Sequence, residues 1–238
     1  MTFVNSALDG QWTEFTTERR AHWDRVALQK LERPFARDCY HHELIRIYRN
    51  QIPAGLRVLE LGCSQGDLLA AVEPAVGVGV DFSGEMVALA KERHPGLRFL
   101  QADVLELELE EAFDVIIISD LLNDLWDVQR LFKQMKGWCH PGTMIVINVW
   151  SRLWQGPISL ARKQGLALQL LEQSWFAPND VANLLALEGF MVVKRFPDIL
   201  LPLPVPGINR VFNRYLAKLP LINAFCLTHV FVAKPAML

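Results

Sequence analysis

The sequence predicts an α/β fold built on a doubly wound, mostly parallel sheet with helices on both faces. Three observations predict it. From residue 53 onward, short apolar runs alternate with segments of helical period. The runs are near-continuously apolar, which marks strands buried on both faces, and helices between such strands form the crossovers of a parallel sheet. Acidic residues stand at the ends of successive runs, where an open parallel sheet places its ligand crevice.

Residues 1–52 read as a helical, amphipathic N-terminal cap rich in charges and aromatics, among them Trp12, Phe15, Trp23, Tyr40 and Tyr48. Pro53-Ala54-Gly55 is a turn signal. The strand-like runs then follow as RVLEL (57–61), VGVGVD (76–81), LRFLQAD (97–103), FDVIIIS (113–119) and TMIVINVW (143–150), with MVVKRF (191–196) and CLTHVFVAK (226–234) near the end. Helices are expected over 83–93, with Ser83 as N-cap, Glu85 in the first turn and Lys91 and Arg93 in the last. Others are expected over 125–138, 158–172 and 178–187. Residues 53–238 therefore read as one domain with a cap insertion near 151–178.

The chain has 238 residues, 51% of them hydrophobic, which is enough for a sizeable core. Its net charge is −2 and no Lys/Arg cluster stands out, so no nucleic-acid partner is expected. The scattered Cys39, Cys63, Cys139 and Cys226 suit a reducing compartment and argue against a disulfide framework or a zinc site. The first residues lack the basic and apolar regions of a signal peptide. The apolar stretches 199–208 and 219–233 are broken by prolines and polar residues, so no transmembrane segment is expected. A cytoplasmic location follows, with peripheral membrane contact through the C-terminal region left open.

The chemistry concentrates at the end of the first strand, Glu60-Leu61-Gly62-Cys63-Ser64-Gln65-Gly66-Asp67. Glycines in a strand-to-helix turn let a ligand approach the backbone, and the following helix start offers unpaired N–H groups. Asp81 ends the second run, where a carboxylate can accept both hydroxyl protons of a ribose. Asp103 follows the third run and is placed to accept from the exocyclic amine of adenine. Ser119, Asp120 and Leu121 lead out of the fourth run into the same crevice.

VLELGCSQGDLL resembles the E-x-G-x-G-x-G signature of class I methyltransferases that use S-adenosylmethionine (SAM). Glu60, Gly62 and Gly66 match, and Ser64 replaces the central glycine. GVGVDFSGEMVALAKE, LRFLQADVLEL and FDVIIISDLLNDLWD are similar to the family's next three blocks, in order. The resemblance implies a Rossmann-like seven-stranded sheet whose last strand is antiparallel. It implies SAM as cofactor, with S-adenosylhomocysteine as product. It places Asp81 on the ribose, with Phe82, Ser83 and Met86 beside the adenosine. Asp103 and Val104 fall at the adenine, and Ser119, Asp120 and Leu121 on the methionine side, with Cys63 a small filler in the turn. From Tyr40 to Pro235 the chain also looks like the methyltransferase part of some bacterial methyltransferase–glycosyltransferase fusion proteins. That likeness implies a sugar or glycan-related acceptor and a glycosyltransferase partner.

Several residues carry two readings. Tyr40 and His41 either fold over the cofactor or acceptor or form a packed helix face. Asp38 and His42 share a face, yet no second ligand cluster accompanies them, so no metal is expected. Trp150, Trp154, Trp175 and Phe176 line an acceptor pocket or belong to the core. Candidate bases for a hydroxyl acceptor are His41, His42, Asp120 and Asp124, although Asp124 and Asp127 also suit the start of the 125–138 helix. The competing functions are a non-catalytic SAM-binding or regulatory module and an NAD-dependent oxidoreductase. The latter is disfavoured because G-C-S-Q-G lacks G-x-G-x-x-G.

Overall fold

The computed structural model describes residues 2–32, 38–165, 171–200 and 208–236. Two helices come first, α1 (Thr2–Glu32) and α2 (Asp38–Gln51). The sheet and its crossovers follow as β1 (Arg57–Leu61), α3 (Asp67–Ala71), β2 (Val76–Asp81), α4 (Gly84–Arg93), β3 (Arg98–Gln101), β4 (Phe113–Ser119), α5 (Val128–Met135) and β5 (Cys139–Trp150). The remainder is α6 (Gln155–Lys163), α7 (Pro178–Leu187), β6 (Phe190–Asp198), α8 (Ile208–Arg214) and β7 (Thr228–Pro235).

The seven strands form one sheet in the order β3-β2-β1-β4-β5-β7-β6. β1 pairs in parallel with both β2 and β4, so the strand order reverses beside β1. β7 runs antiparallel to β5 and to β6, which makes it the one reversed strand of the sheet. This is the Rossmann-like, doubly wound sheet with an antiparallel last strand that the sequence predicts. Its switch point is at the end of β1, where ligands of such sheets sit.

β1, β2 and β4 bury nearly every side chain, as their unbroken apolar runs require. One layer of the core packs Leu59, Ile116, Ile118, Ile147 and Phe231 against Leu131, Phe132 and Met135 of α5 and Leu185 of α7. The other packs Val58, Ile117 and Val146 against Leu69 of α3, Val87 of α4 and Leu44, Ile47 and Tyr48 of α2. Leu44, Ile47 and Tyr48 recur at helical spacing and are 2% exposed or less. Each such burial contributes about 1.5–3 kcal/mol, so α2 is built into the sheet's core. α1 is docked differently, through Val26 and Ala27 on Met86 of α4.

Two expected helices differ from those observed. The segment expected over 158–172 forms α6 at Gln155–Lys163, residues 171–177 are not helical, and 166–170 lie outside the described residues. Gly165, at φ 70°, is the stop signal that the periodicity overlooked. The helix expected over 125–138 begins only at Val128. Asp127 is its N-cap and accepts from the Arg130 N–H at 2.9 Å. The helix expected over 83–93 is found as α4, with Ser83 as its N-cap, the hydroxyl accepting from the Met86 N–H. Pro202, Pro204, Pro206 and Gly207 lie outside the described residues.

Candidate active site

β1 ends in a turn that the glycines make sterically feasible. Gly62 and Gly66 have φ of 72° and 77°, in the left-handed region. A Cβ on Gly66 would lie 2.5 Å from Phe99 Cζ, and one on Gly62 would lie 3.0 Å from Leu121 Cδ1. Ser64, at the position where the resembled motif carries glycine, has φ 48°. The backbone conformation asks for glycine there, and the serine accepts the strain.

Asp81 ties this turn to the next strand. One carboxylate oxygen accepts from the Ser64 N–H at 2.9 Å and the other from the Ser83 N–H at 3.0 Å. Asp81 is 8% exposed, so the charge is held by backbone dipoles rather than by water. Glu60 lies one strand away, 2% exposed, and among the described residues its Oε2 has no hydrogen-bond partner. Burial pushes its carboxyl well above the ordinary range; the Leu69 N–H opposes that rise, and the charges of Asp81 and Asp67 add to it. Cys63 is also buried, and burial together with the Asp81 and Glu60 charges raises its thiol well above the usual value. It stays a neutral filler whose Sγ would be 2.9 Å from a Cβ on Gly79.

α1 lies across the crevice, and little in its sequence announced this. Trp23 Nε1 donates to Asp124 Oδ2 at 2.6 Å. Arg19 Nε donates to Asp124 Oδ1 at 3.1 Å and to the Asp124 carbonyl. Arg19 also donates to the Glu172 carbonyl, and the Ser83 hydroxyl donates to Asp24. Between α1 and the loop after β3 lies a cavity of about 220 Å³ lined by Trp12, Thr13, Thr16, Thr17, Arg20, Asp103 and Glu106. Asp103 accepts from the Leu105 N–H at 2.9 Å, and Val104 is buried beside it. Phe82 is half-buried and Met86 fully buried, with the Ser64 hydroxyl 3.4 Å from its sulfur.

A second cluster sits where β4 and β5 end and β7 begins. Asp120 follows β4 with φ 54°. Its Oδ1 accepts from the Tyr40 hydroxyl at 2.9 Å and from the Asn148 amide. Trp150 Nε1 donates to the Tyr40 oxygen at 2.8 Å, and Tyr48 donates to Asn148 Oδ1 at 2.7 Å. Burial lifts the Asp120 carboxyl to about 6 despite hydrogen bonds from Tyr40, Asn148 and Trp150. The Tyr40 hydroxyl is likewise raised well above its usual value by burial and by the Asp120 charge. Tyr40, Trp150 and Trp175 make an aromatic wall, with neighbouring centroids 6.3 and 6.2 Å apart. Phe176 packs on the core, and Trp154 turns aside to donate to the Phe225 carbonyl.

The structure thus gathers Glu60, Gly62, Cys63, Ser64, Gly66, Asp81, Phe82, Ser83 and Met86 around the turn, with Asp103 and Val104 beneath α1. Ser119 and Leu121 flank Asp120, and Leu121 covers Gly62. His41 stands apart, exposed on α2 with its ring 5.8 Å from that of Tyr40. Sequence reasoning missed Arg19, Trp23, Asp24 and His22. His22 Nε2 is buried with no partner among the described residues, and burial lowers its pKa, with the Asp124 charge acting against that. The one available signal was the run of charged and aromatic residues on a single helix, which does not say what that helix covers.

The fold is that of a Rossmann-like, doubly wound sheet, with the glycine turn and the strand-end carboxylates gathered at its switch point. The model of the family described as a methyltransferase domain matches residues 58–142, which span β1 to the start of β5. Trans-aconitate 2-methyltransferase of Acidovorax sp. (strain JS42) is 27% identical over 172 residues, covering 71% of this chain and 65% of that protein. The chain thus spans about two thirds of that relative's length. Phosphatidylethanolamine N-methyltransferase of Cereibacter sphaeroides is 29% identical over 154 residues, covering 60% of this chain and 74% of that one. Among solved structures, magnesium protoporphyrin IX methyltransferase from Synechocystis PCC 6803 with bound S-adenosylhomocysteine superposes with TM-score 0.64 at 14% identity, over 93% and 100% of the two chains. A chain of the complex between the Haloferax volcanii Trm112 methyltransferase activator and a putative methyltransferase gives TM-score 0.69 at 16% identity, over 92% and 98%. The structural likeness concerns the fold. The sequence matches support a class I methyltransferase domain with SAM as its cofactor.

Proposed function

We propose that the protein transfers the methyl group of SAM to a small-molecule, sugar or glycan-related acceptor held beside the aromatic wall. The observation that best supports this is Asp81, a buried carboxylate at the end of β2 that joins the glycine turn to the α4 cap. When bound, SAM supplies a methyl on a cationic sulfur, so transfer needs alignment and exclusion of water above all.

In this reading Gly62 and Gly66 let the cofactor lie against the backbone, while Ser64 holds the turn. Asp81 accepts from the ribose hydroxyls, with Phe82, Ser83 and Met86 alongside. Asp103 and Val104 border the adenine in the cavity under α1. The unpaired oxygen of Glu60 suits a cationic ammonium. Ser119, Asp120 and Leu121 flank the methionine side, and Tyr40 closes it. α1 keeps water out, with Asp124 as its latch. Of the candidate bases, Asp120 holds Tyr40 and Asp124 holds Arg19 and Trp23, while His41 stands exposed at the rim.

The relatives' names carry acceptors as different as trans-aconitate and phosphatidylethanolamine, so relatedness does not choose among them. The sugar setting and a glycosyltransferase partner rest on the strings SDLLNDLWDVQ and WFAPNDVANLLALEGF.

Calorimetric titration tests the cofactor: S-adenosylhomocysteine should bind, NAD should not, and Asp81→Ala should weaken binding at least tenfold, the scale of a lost hydrogen bond to a charged group. Unchanged affinity removes Asp81 from the site. Formation of S-adenosylhomocysteine from SAM across hydroxyl, amine, thiol and glycan acceptors tests transfer. Binding without turnover on any of them leaves a SAM-binding module instead.

A further inference from the structure

Residues 211–225 and 152–163 carry apolar side chains that nothing in the described chain covers. Leu221 is 85% exposed, Tyr215 and Phe225 each 63%, and Leu219 45%. Leu153 and Leu160 extend the same face at 61% and 57%. The two segments adjoin because Trp154 Nε1 donates to the Phe225 carbonyl at 2.8 Å and the Ser151 N–H donates to the Leu227 carbonyl. Single exposed apolar residues are ordinary; a contiguous set of them marks a contact surface.

Charge says what kind of contact. Arg152 and Lys163 are exposed on one segment, Arg214 and Lys218 on the other. The sequence contains no Asp or Glu between 128 and 171, and none from 199 to its end. In a chain of net charge −2, the basic residues here are therefore unopposed locally, and the acidic excess lies elsewhere. An apolar surface edged by Lys and Arg, with no carboxylate, matches the interface of an anionic bilayer, where acyl chains receive the one and phosphates the other. Stacking a second copy on this face would set like charges against each other. The face also lies at the end of the sheet where Trp150 of β5 pairs with Thr228 of β7, the end that carries Tyr40 and Asp120.

We propose that this face docks the protein on an anionic phospholipid membrane. Docking there turns the aromatic wall toward the lipid surface. The surface stands independently of the methyl-transfer reading, since it uses neither the turn nor Asp81.

Co-sedimentation tests it, with vesicles of phosphatidylcholine alone and of phosphatidylcholine mixed with phosphatidylglycerol. The protein should partition onto the mixed vesicles and leave the neutral ones, and added salt should reverse it. Arg214→Gln with Lys218→Gln should lower partitioning roughly thirtyfold, about fivefold for each basic side chain near such a surface. Leu221→Ser with Phe225→Ser should lower it at least tenfold, on the order expected for withdrawing two apolar side chains from lipid. Circular dichroism confirms that each variant is folded. Protein that stays in the supernatant with mixed vesicles overturns the proposal, as do folded variants that partition like the parent. So does self-association that Leu221→Ser with Phe225→Ser abolishes while no vesicle is bound.

Discussion

Asp81 joins the half of the crevice proposed for the cofactor by accepting from Ser83, two residues away, and Ser64, seventeen away. The half proposed for the acceptor is held by pairs much farther apart along the chain: Tyr40 with Asp120 at 80 residues, Trp23 with Asp124 at 101, Arg19 with Asp124 at 105 and Trp150 with Tyr40 at 110. One half is specified by turns and caps that the local sequence dictates. The other is assembled by helices arriving from the N-terminus onto strand ends already in place. Changes in the first half should therefore act through backbone geometry, and changes in the second through side-chain pairs whose loss loosens a cover without unmaking the sheet.

The largest effect should come from Gly66→Ala. The added methyl meets Phe99 in the core of the crevice, at a residue whose φ is 77°. Left-handed strain of about 1–2 kcal/mol and overpacking of about 1–3 kcal/mol together predict a loss of about 4 kcal/mol, read as a fall in the urea midpoint. Gly10→Ala is the control, because a Cβ there meets nothing within 4 Å. On an exposed helix that change should stabilise, by up to about 1 kcal/mol. If Gly66→Ala costs less than about 1 kcal/mol, the cofactor half is not dictated by its backbone.

Asp120 carries the next effect. Its carboxyl titrates near 6 in the folded protein because burial disfavours the charge, against 3.8 ordinarily. A raised carboxyl favours the folded state while protonated. Its contribution is complete below about pH 4 and lost as pH rises through about 6, an amount of about 3 kcal/mol. Asp120→Asn should flatten the dependence of unfolding free energy on pH between 4 and 6 and leave the rest of the profile alone. An unchanged slope in that window would show that some other group carries it.

Trp23→Phe tests the cover by itself. It keeps the ring and deletes the donor to Asp124, while Arg19 still holds the carboxylate. A hydrogen bond to a charged group contributes about 1.5 kcal/mol. Amide exchange in residues 19–27 should therefore accelerate roughly tenfold. Exchange in β1, β2 and β4 should not move. If those strands loosen equally, α1 is part of one cooperative core and the contrast between the halves fails.

The same contrast explains what could be read from the sequence. Predominantly apolar runs fixed β1, β2 and β4 to the residue, because a strand buried on both faces stands out against the polar turns that bound it. Ser83 and Gly66 were legible because a cap and a left-handed turn each need a particular residue type. α6 was drawn too long because helical periodicity does not register where a glycine with φ 70° ends the helix. The roles of Arg19, Trp23 and Asp24 were invisible for a different reason. Their partners lie 59 residues away or more, and no local pattern encodes which strand end a helix will reach. Asp120 was visible as a carboxylate at a strand end, but its donors, Tyr40 from α2 and Asn148 and Trp150 from β5, were not.

Ser64→Gly should give the smallest change, and its sign is informative. At φ 48° the serine carries left-handed strain of about 1 kcal/mol, which glycine removes. Glycine also adds freedom to the unfolded chain, which costs about 0.4–1 kcal/mol. The two nearly cancel, so unfolding free energy should shift by less than about 1 kcal/mol. The N–H that Asp81 accepts from is the backbone's, so that bond survives the substitution, while the hydroxyl's contact with the Met86 sulfur is lost. Affinity for S-adenosylhomocysteine should accordingly stay within about threefold, since a weak acceptor such as a thioether adds well under 1 kcal/mol. A larger loss would mean that the serine hydroxyl itself contacts the ligand, which would make the replaced glycine a recognition element of this chain rather than a tolerated departure.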